Sequence, residues 1–388
     1  MHIAYLDPHP VPDNCPEALQ ILYTVDALGG LGTRVTLMTP TPESVADIRT
    51  ILGHALSPNV QVRHLEPRRG LWRWLRSNQP FYRMAGGELK TLGADAVLVR
   101  NLKMAEHLLR HAPNVPLFFE THELFAQSYR EEHPRMNLRR HHKLAALAQR
   151  EEFVYRNAKG LIALTPLLIE DIRTTYRVET PAAVAPDGVD LEQAQAPVSA
   201  TPHTIPWLLY LGSLHPWKGV DTLVRAMVHV KQPAELHIVG GNAARIEELR
   251  ALADEFDVIR RVVFHGPVEP GRRFEYIHRA DICLLPLTET SIGGRYTSPL
   301  KLFEYMAAGK AIIVSDLPSM RQVLTPERDA LLVPTGEPEA FAQAIDRILK
   351  DKELRTCLGD AAKTRATEFT WQRRSQTLLS FVHDQIHG

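Results

Sequence analysis

Over residues 207–350 short apolar, β-rich runs alternate with segments of helical periodicity, and no other feature restricts the fold as strongly. The apolar runs are 207–211, 236–239, 262–264, 282–285, 311–314 and 331–333. Between them the pattern predicts helices over 219–230, 243–255, 270–279, 299–308, 317–324 and 337–349. Neighbouring strands joined through helices are parallel, because a hairpin leaves no room for a crossover. The runs are almost continuously apolar, as strands become when helices cover both faces of a sheet. A doubly wound α/β domain follows. Gly212, Gly240, Gly241, Gly266 and Pro286 close several of the runs and mark the carboxyl edge, where such sheets bind ligands.

The first half shows the same alternation less clearly, with strands over 3–6, 34–38, 96–99, 117–120 and 161–164 and a helix over 17–28. A chain of 388 residues suits two domains of ~100 to 200 residues each. The stretch Pro-Ala-Ala-Val-Ala-Pro-Asp-Gly-Val-Asp at 181–190 and the Pro, Ala and Thr-rich residues after it have the composition of a linker. The expected organisation is a first domain over 1–185, a linker over 186–206, a second domain over 207–368, and a terminal helix over 369–388 packed across the domains. The two doubly wound domains are expected to face a cleft.

Charge and cysteine content remove other classes. Lys and Arg number 45, as do Asp and Glu, so the chain lacks the basic excess of a dedicated nucleic-acid binder. Cys15, Cys283 and Cys357 stand far apart in no metal spacing, which suits a reducing compartment. The first residues enter a strand-like run with no leader pattern, and no run approaches ~18 apolar residues, so the expected location is cytoplasmic.

Two segments carry chemistry. In Ser298-Pro299-Leu300-Lys301-Leu302-Phe303-Glu304-Tyr305-Met306-Ala307-Ala308-Gly309, a Ser N-cap, a Pro at the first helical position and a Gly past the end define a short helix. The unused N–H groups and positive end of such a helix suit a diphosphate. Glu304, one turn along, has the reach and charge to accept two hydrogen bonds from a ribose diol. From spacing alone, Glu304 is as readily a residue that caps or pairs on the helix. The second segment, Leu211-Gly212-Ser213-Leu214-His215-Pro216-Trp217-Lys218-Gly219, sets Lys218 beside a glycine turn at the sheet edge, where phosphate is the natural partner. Taken alone, Lys218 reads as a solvated loop lysine.

Together these segments resemble the nucleotide-sugar half of a family 4 retaining glycosyltransferase of the GT-B fold, built from two Rossmann-like domains. The resemblance is strongest over 207–337, including Val239-Gly240-Gly241, Arg279-Ala280-Asp281-Ile282 and 299–318, and looser over Arg150-Glu151-Glu152, Ala163-Leu164-Thr165 and Pro186-Asp187-Gly188-Val189-Asp190. It implies that Glu304 is the second glutamate of the family's Glu-x7-Glu motif and holds the ribose, and that Lys218 binds the diphosphate. It further implies that Thr297, Ser298, Pro299 and Leu300 offer backbone amides to sugar and β-phosphate, and that Gly212 and Gly240 line the donor. His122, in Glu120-Thr121-His122-Glu123, falls where the family places a histidine near the transferred sugar; a His after a strand is otherwise more often structural.

Three departures accompany the match. Tyr296 stands where the motif's first glutamate belongs, to bind sugar or simply to pack; Ser213 stands where many relatives carry an Arg, a charge that Arg295 is placed to replace; and Asp7-Pro8-His9-Pro10-Val11-Pro12 replaces a Gly-Gly loop. The resemblance implies transfer of a hexose-type sugar from a nucleoside-diphosphate sugar, with retention and no metal or other cofactor, to a glycan, lipid-linked or small-molecule hydroxyl in glycan, polysaccharide or glycolipid synthesis. Alternatives are a sugar-nucleotide epimerase of the same fold and a non-catalytic nucleotide-sugar-binding subunit. Residues 60–150 hold 16 Lys and Arg against 8 Asp and Glu. Within them, 68–76 (Arg-Arg-Gly-Leu-Trp-Arg-Trp-Leu-Arg) reads either as a segment docking at the inner membrane face or as an amphipathic helix with core tryptophans. A second basic run, 139–143, reads as a solvated helix face.

Overall fold

The computed structural model describes residues 1–42, 47–66, 77–112, 114–196 and 203–388. The chain forms two compact units, Met1–Pro186 with Trp371–Gly388, and Asp187–Thr370. The 68–76 segment lies outside the described residues.

The first unit holds a seven-stranded parallel sheet of β1 (His2–Leu6), β2 (Arg34–Pro40), β3 (Val60–Leu65), β4 (Ala96–Val99), β5 (Leu117–Thr121), β6 (Gly160–Ala163) and β7 (Ala182–Val184), ordered β3-β2-β1-β4-β5-β6-β7. β3 and β7 are absent from the sequence reading. Both are edge strands: β3 carries Arg63 and His64 at half-exposed or exposed positions, and β7 is three half-buried residues, so neither needs the apolar run that marks a strand covered on both faces. The strand order reverses between β1 and β4. Their register pairs Leu6 with Val99, which sets Asp7 and Arg100 side by side just beyond the last paired residues.

The second unit holds six parallel strands, β8 (Trp207–Leu211), β9 (Glu235–Val239), β10 (Val262–Gly266), β11 (Ile282–Leu285), β12 (Ala311–Ser315) and β13 (Leu331–Val333), ordered β10-β9-β8-β11-β12-β13. Alternate residues enter opposite cores. Leu208, Tyr210, Ile282, Leu284 and Ile313 join the cluster with the helix Pro338–Lys350, while Leu209, Cys283, Leu285, Ile312 and Val314 join the one with the helix Leu300–Ala307. Two buried faces are the physical reason these strands read as nearly continuous apolar runs. The strand order reverses between β8 and β11, so the ligand crevice expected of such a sheet lies at their carboxyl ends.

Three expectations are adjusted. The helices read at 219–230 and 317–324 shorten to Val220–Ala226 and Pro318–Arg321. After the first, the chain turns to offer the N–H groups of Lys231 and Gln232 to the buried Asp346 carboxylate. The segment 186–206 is more than a linker: Leu191–Gln195 is helical, and Val189 and Ala194 sit in the second unit's core, because its apolar residues pack although its composition is that of a loop. The final helix, Trp371–His387, is part of the first unit, where Trp371 stacks on Tyr23 at 5.2 Å and Phe381 meets Phe118 edge-on. Residues 139 and 141–143 are exposed on the helix Leu138–Asn157, the solvated face expected. No helix among the described residues is long and apolar enough to cross a membrane.

Candidate functional site

The second unit gathers its unusual chemistry at the ends of β8 and β9 and the start of the helix Leu300–Ala307. Gly212 leaves β8 with φ +133°, and its N–H donates to the Val239 carbonyl at 2.8 Å. Gly240 follows β9 with φ +110°, so close to Gly212 that a Cβ added to it would fall 2.3 Å from the Gly212 oxygen. Both positions require glycine, and they leave bare backbone along this edge. The turn is pinned from beneath: the Tyr210 hydroxyl donates to the Ser213 carbonyl at 2.6 Å, and the Leu211 N–H donates to the Tyr305 hydroxyl at 3.0 Å. Ser213 is exposed.

Lys218 ends a short 3-10 turn, Pro216–Lys218, which Gly219 closes with φ +67°. The Lys218 ammonium lies 3.5 Å from the centre of the Trp217 ring, and Thr288 holds the Trp217 carbonyl through both its N–H and its hydroxyl. The structure therefore places a half-buried lysine on an anchored loop rather than a free surface one.

The helix begins at Leu300, one residue later than its sequence suggests. Pro299 is the residue before it, no side chain caps it, and Gly309 follows its end with φ +65°. The expected Ser298 cap is replaced by a longer-range bond, in which the Ser298 hydroxyl accepts the Asp187 N–H at 2.9 Å. The Leu302 N–H donates to the Pro299 carbonyl at 2.9 Å, which leaves the Leu300 and Lys301 N–H groups for water or a ligand. Thr297, Ser298 and Pro299 are buried and Leu300 half-buried, while Arg295 is half-buried in the turn Ile292–Tyr296. Tyr296 is fully buried.

Glu304 is held by a residue that the sequence reading missed. Arg273 Nε donates to Glu304 Oε1 at 2.5 Å, and the rest of that guanidinium donates to the Pro270 carbonyl and to Gln193 Oε1. With both side chains about nine-tenths buried, the pair fixes the carboxylate and leaves Oε2 as the oxygen for an incoming hydroxyl. Arg273 lies 31 residues from Glu304 and carries no motif, so no sequence signal announced it. The other missed residue is Lys301. It is 9% exposed in the first turn of the same helix, with its ammonium 4.1 Å over the Tyr210 ring. Gly212, Lys218, Lys301 and Glu304 thus converge, whereas His122 belongs to the first unit.

There, His122 follows β5 at the carboxyl edge. Its Nε2 lies 2.8 Å from Glu120 Oε1 and its Nδ1 lies 3.0 Å from the Arg100 guanidinium. A guanidinium only donates and a carboxylate only accepts, so the proton sits on Nε2 and His122 is neutral in this arrangement. Glu120 Oε1 also receives Gln20 and Arg374. Burial alone would raise the Glu120 carboxyl, but Arg374 and then His122 overcome it and hold the group well below the usual carboxylate range. Two strands away, past the end of β1, Asp7 is fully buried and accepts the His9 N–H and ring Nδ1 at 2.9 and 2.7 Å. That contact, opposed by burial, raises the His9 ring above its ordinary value.

Comparison with known proteins covers both units. Residues 19–193 match the model described as Glycosyltransferase Family 4, and residues 205–351 match the one described as Glycosyl transferases group 1. Among curated relatives, the D-inositol 3-phosphate glycosyltransferase of Xylanimonas cellulosilytica is 29% identical over 59% of this chain and 58% of its own. The phosphatidyl-myo-inositol mannosyltransferase of Mycolicibacterium smegmatis is 28% identical over 57% of each. The aligned region therefore spans less than two thirds of either relative. Among solved structures, sucrose-phosphate synthase from Thermosynechococcus elongatus matches over 99% of this chain and 98% of its own, with TM-score 0.80 at 21% identity. HepE from Anabaena, solved with UDP and glucose, matches over 99% of this chain and 100% of its own, with TM-score 0.74 at 15% identity.

Proposed function

The chain belongs to glycosyltransferase family 4, with the two-domain GT-B fold, and from that premise we propose that it is a retaining glycosyltransferase. It would move a hexose-type sugar from a nucleoside-diphosphate sugar to an acceptor hydroxyl in glycan, polysaccharide or glycolipid synthesis. The carrying observation is the convergence of bare glycine backbone at Gly212 and Gly240, the anchored Lys218 and the uncapped helix start, with Glu304 one turn along. A nucleoside diphosphate fits this set: its ribose diol to Glu304 Oε2, its charged bridge to Lys218 and the helix N-terminus. Departure of that diphosphate is the step most in need of stabilisation, and preorganised donors supply it. In the retaining course, the acceptor hydroxyl attacks on the leaving-group face and a phosphate oxygen takes its proton, so no strong protein base is called for. Relatives named for inositol-phosphate and mannosyl transfer, and a structural neighbour solved with UDP and glucose, support the substrate class.

The first unit would carry the acceptor, with Arg100 and the neutral His122 as hydrogen-bonding groups at its sheet edge. Membrane docking through 68–76 is part of this reading for a lipid-linked acceptor. Vesicles rich in anionic lipid should sediment the folded protein at low salt, and a protein left in the supernatant rules the docking out.

Thermal unfolding with UDP, GDP and ADP tests the donor site. A diphosphate at ~100 times its dissociation constant stabilises by ~2.7 kcal/mol. Glu304→Gln keeps an acceptor for Arg273 yet should weaken the charge-assisted ribose bonds, a loss of ~1.5 to 3 kcal/mol. The 2′-deoxy nucleotide should show the same loss with the unchanged protein and little further loss with Glu304→Gln. If none of the three diphosphates shifts the transition, the donor-site reading fails.

A further inference from the structure

We propose that Lys301 is the second diphosphate-binding cation of this chain, standing beneath the glycine turn that Ser213 leaves without a side-chain charge, and that it takes up a proton when the diphosphate arrives. The inference rests on the donor-site reading. Neither the family match nor the sequence pattern assigns Lys301 a role.

Three features make this lysine costly as it stands. It occupies the first turn of the helix Leu300–Ala307, the positive end, where a cation is unfavourable. It is nine-tenths buried, in an eight-residue helix whose Leu302, Phe303, Tyr305, Met306 and Ala307 are buried around it. Its Nζ makes no hydrogen bond among the described residues. The charged and titratable groups that face it are few. Lys218 repels it, Glu304 attracts it but is held by Arg273, the Tyr210 ring lies under it at 4.1 Å, and Tyr305 on the same helix has its hydroxyl engaged by the Leu211 N–H. Burial first, then Lys218, pulls the ammonium well below its ordinary range against the weaker pull of Glu304.

The position supplies the partner. A Cβ added to Gly212 would lie 2.6 Å from Lys301 Nζ, so the amine reaches the bare turn where the diphosphate is proposed to sit. A lysine suits this place better than an arginine. The amine can shed its proton while the site is empty and regain one from solvent as phosphate oxygens arrive, whereas a guanidinium stays charged. The site then binds the diphosphate with two cations, Lys218 from the loop and Lys301 from the helix.

Calorimetry of the whole protein tests this, using whichever of UDP, GDP and ADP binds, together with its nucleoside. Titrations at pH 8, where the terminal phosphate with its pKa of about 6 is already ionised, run in two buffers of different ionisation enthalpy. Uptake should approach about one proton per diphosphate bound, and none for the nucleoside. Because the proton is gained on binding, affinity should fall as pH rises. Lys301→Met should bind the diphosphate about tenfold to a hundredfold more weakly, the loss of one charge-assisted contact, with nucleoside affinity unchanged and no proton uptake. Its melting temperature should rise by about 2 to 4 °C, as removal of a buried amine without a hydrogen bond predicts. Equal diphosphate affinity in Lys301→Met, or binding by the unchanged protein without proton uptake, overturns the assignment while the donor site stands. No binding of any diphosphate by the unchanged protein overturns the donor site and this inference together.

Discussion

Arg374→Met is expected to destabilise the protein by about 3 to 5 kcal/mol, a large part of the stability of an ordinary domain. Arg374 and Glu120 meet at 2.6 Å with side chains 1% and 2% exposed. The guanidinium also donates to the Ala185 carbonyl and reaches Thr24. Removing it leaves a buried carboxylate with hydrogen bonds from Gln20 and His122 and only the weaker pull of the Arg100 charge in place of a direct ion pair. Urea unfolding followed on the first unit's aromatic residues measures the loss. Arg374→Met with Glu120→Gln should recover much of it, since removing both charges also removes the unpaired one. The pH dependence has a definite sign. Glu120 titrates lower in the folded protein than in the unfolded chain, so its contribution is present above about pH 4.3, the ordinary glutamate value, and is lost as pH falls through the depressed folded value. Without Arg374 that loss begins at higher pH. A loss below about 1 kcal/mol for Arg374→Met would show that the pair sits in wetter surroundings than its exposure indicates.

Lys218→Ala is expected to lower kcat by ~10² to 10³, the typical effect of removing one preorganised donor aimed at developing charge. In the proposed transfer reaction, negative charge grows on the departing diphosphate. Lys218 is held for that task by a turn closed at Gly219 and by the Trp217 ring 3.5 Å beneath it. Stability should change little, because the lysine is half-exposed and a cation–ring contact at such a site contributes ~0.5 to 1 kcal/mol. Steady-state rates with the donor found by thermal shift, read beside the melting temperature, separate the two effects. Near-normal turnover in a folded Lys218→Ala protein would remove Lys218 from the mechanism.

What could be read before folding follows rules that act over a few residues. The strands β8, β11 and β13 are apolar from end to end, and β12 as far as Ser315, because helices cover both faces, and the sequence expresses that locally. The helix Leu300–Ala307 announces itself by Pro299 before it and Gly309 after it, and Gly212 and Gly240 announce the strand ends. These signals also carried the family resemblance, which the family models match over 19–193 and 205–351. The edge strands β3 and β7 gave no such signal, since β3 carries Gln61, Arg63 and His64 at exposed or half-exposed positions and β7 is three half-buried residues.

The charges were another matter. Arg374 reaches Glu120 across 254 residues, and Arg273 reaches Glu304 across 31. Ser298 turned from a local cap to a bond with Asp187, 111 residues away. No periodicity or cap rule constrains which distant side chain meets a given carboxylate. That choice depends on where the sheets and helices bring their ends. Lys301 shows the division within one residue. Its position in the first turn of a helix was determined by its neighbours in sequence. Its burial against Tyr210 and beneath Gly212 was decided only when the helix packed against β8, because burial is a property of what surrounds a side chain in space.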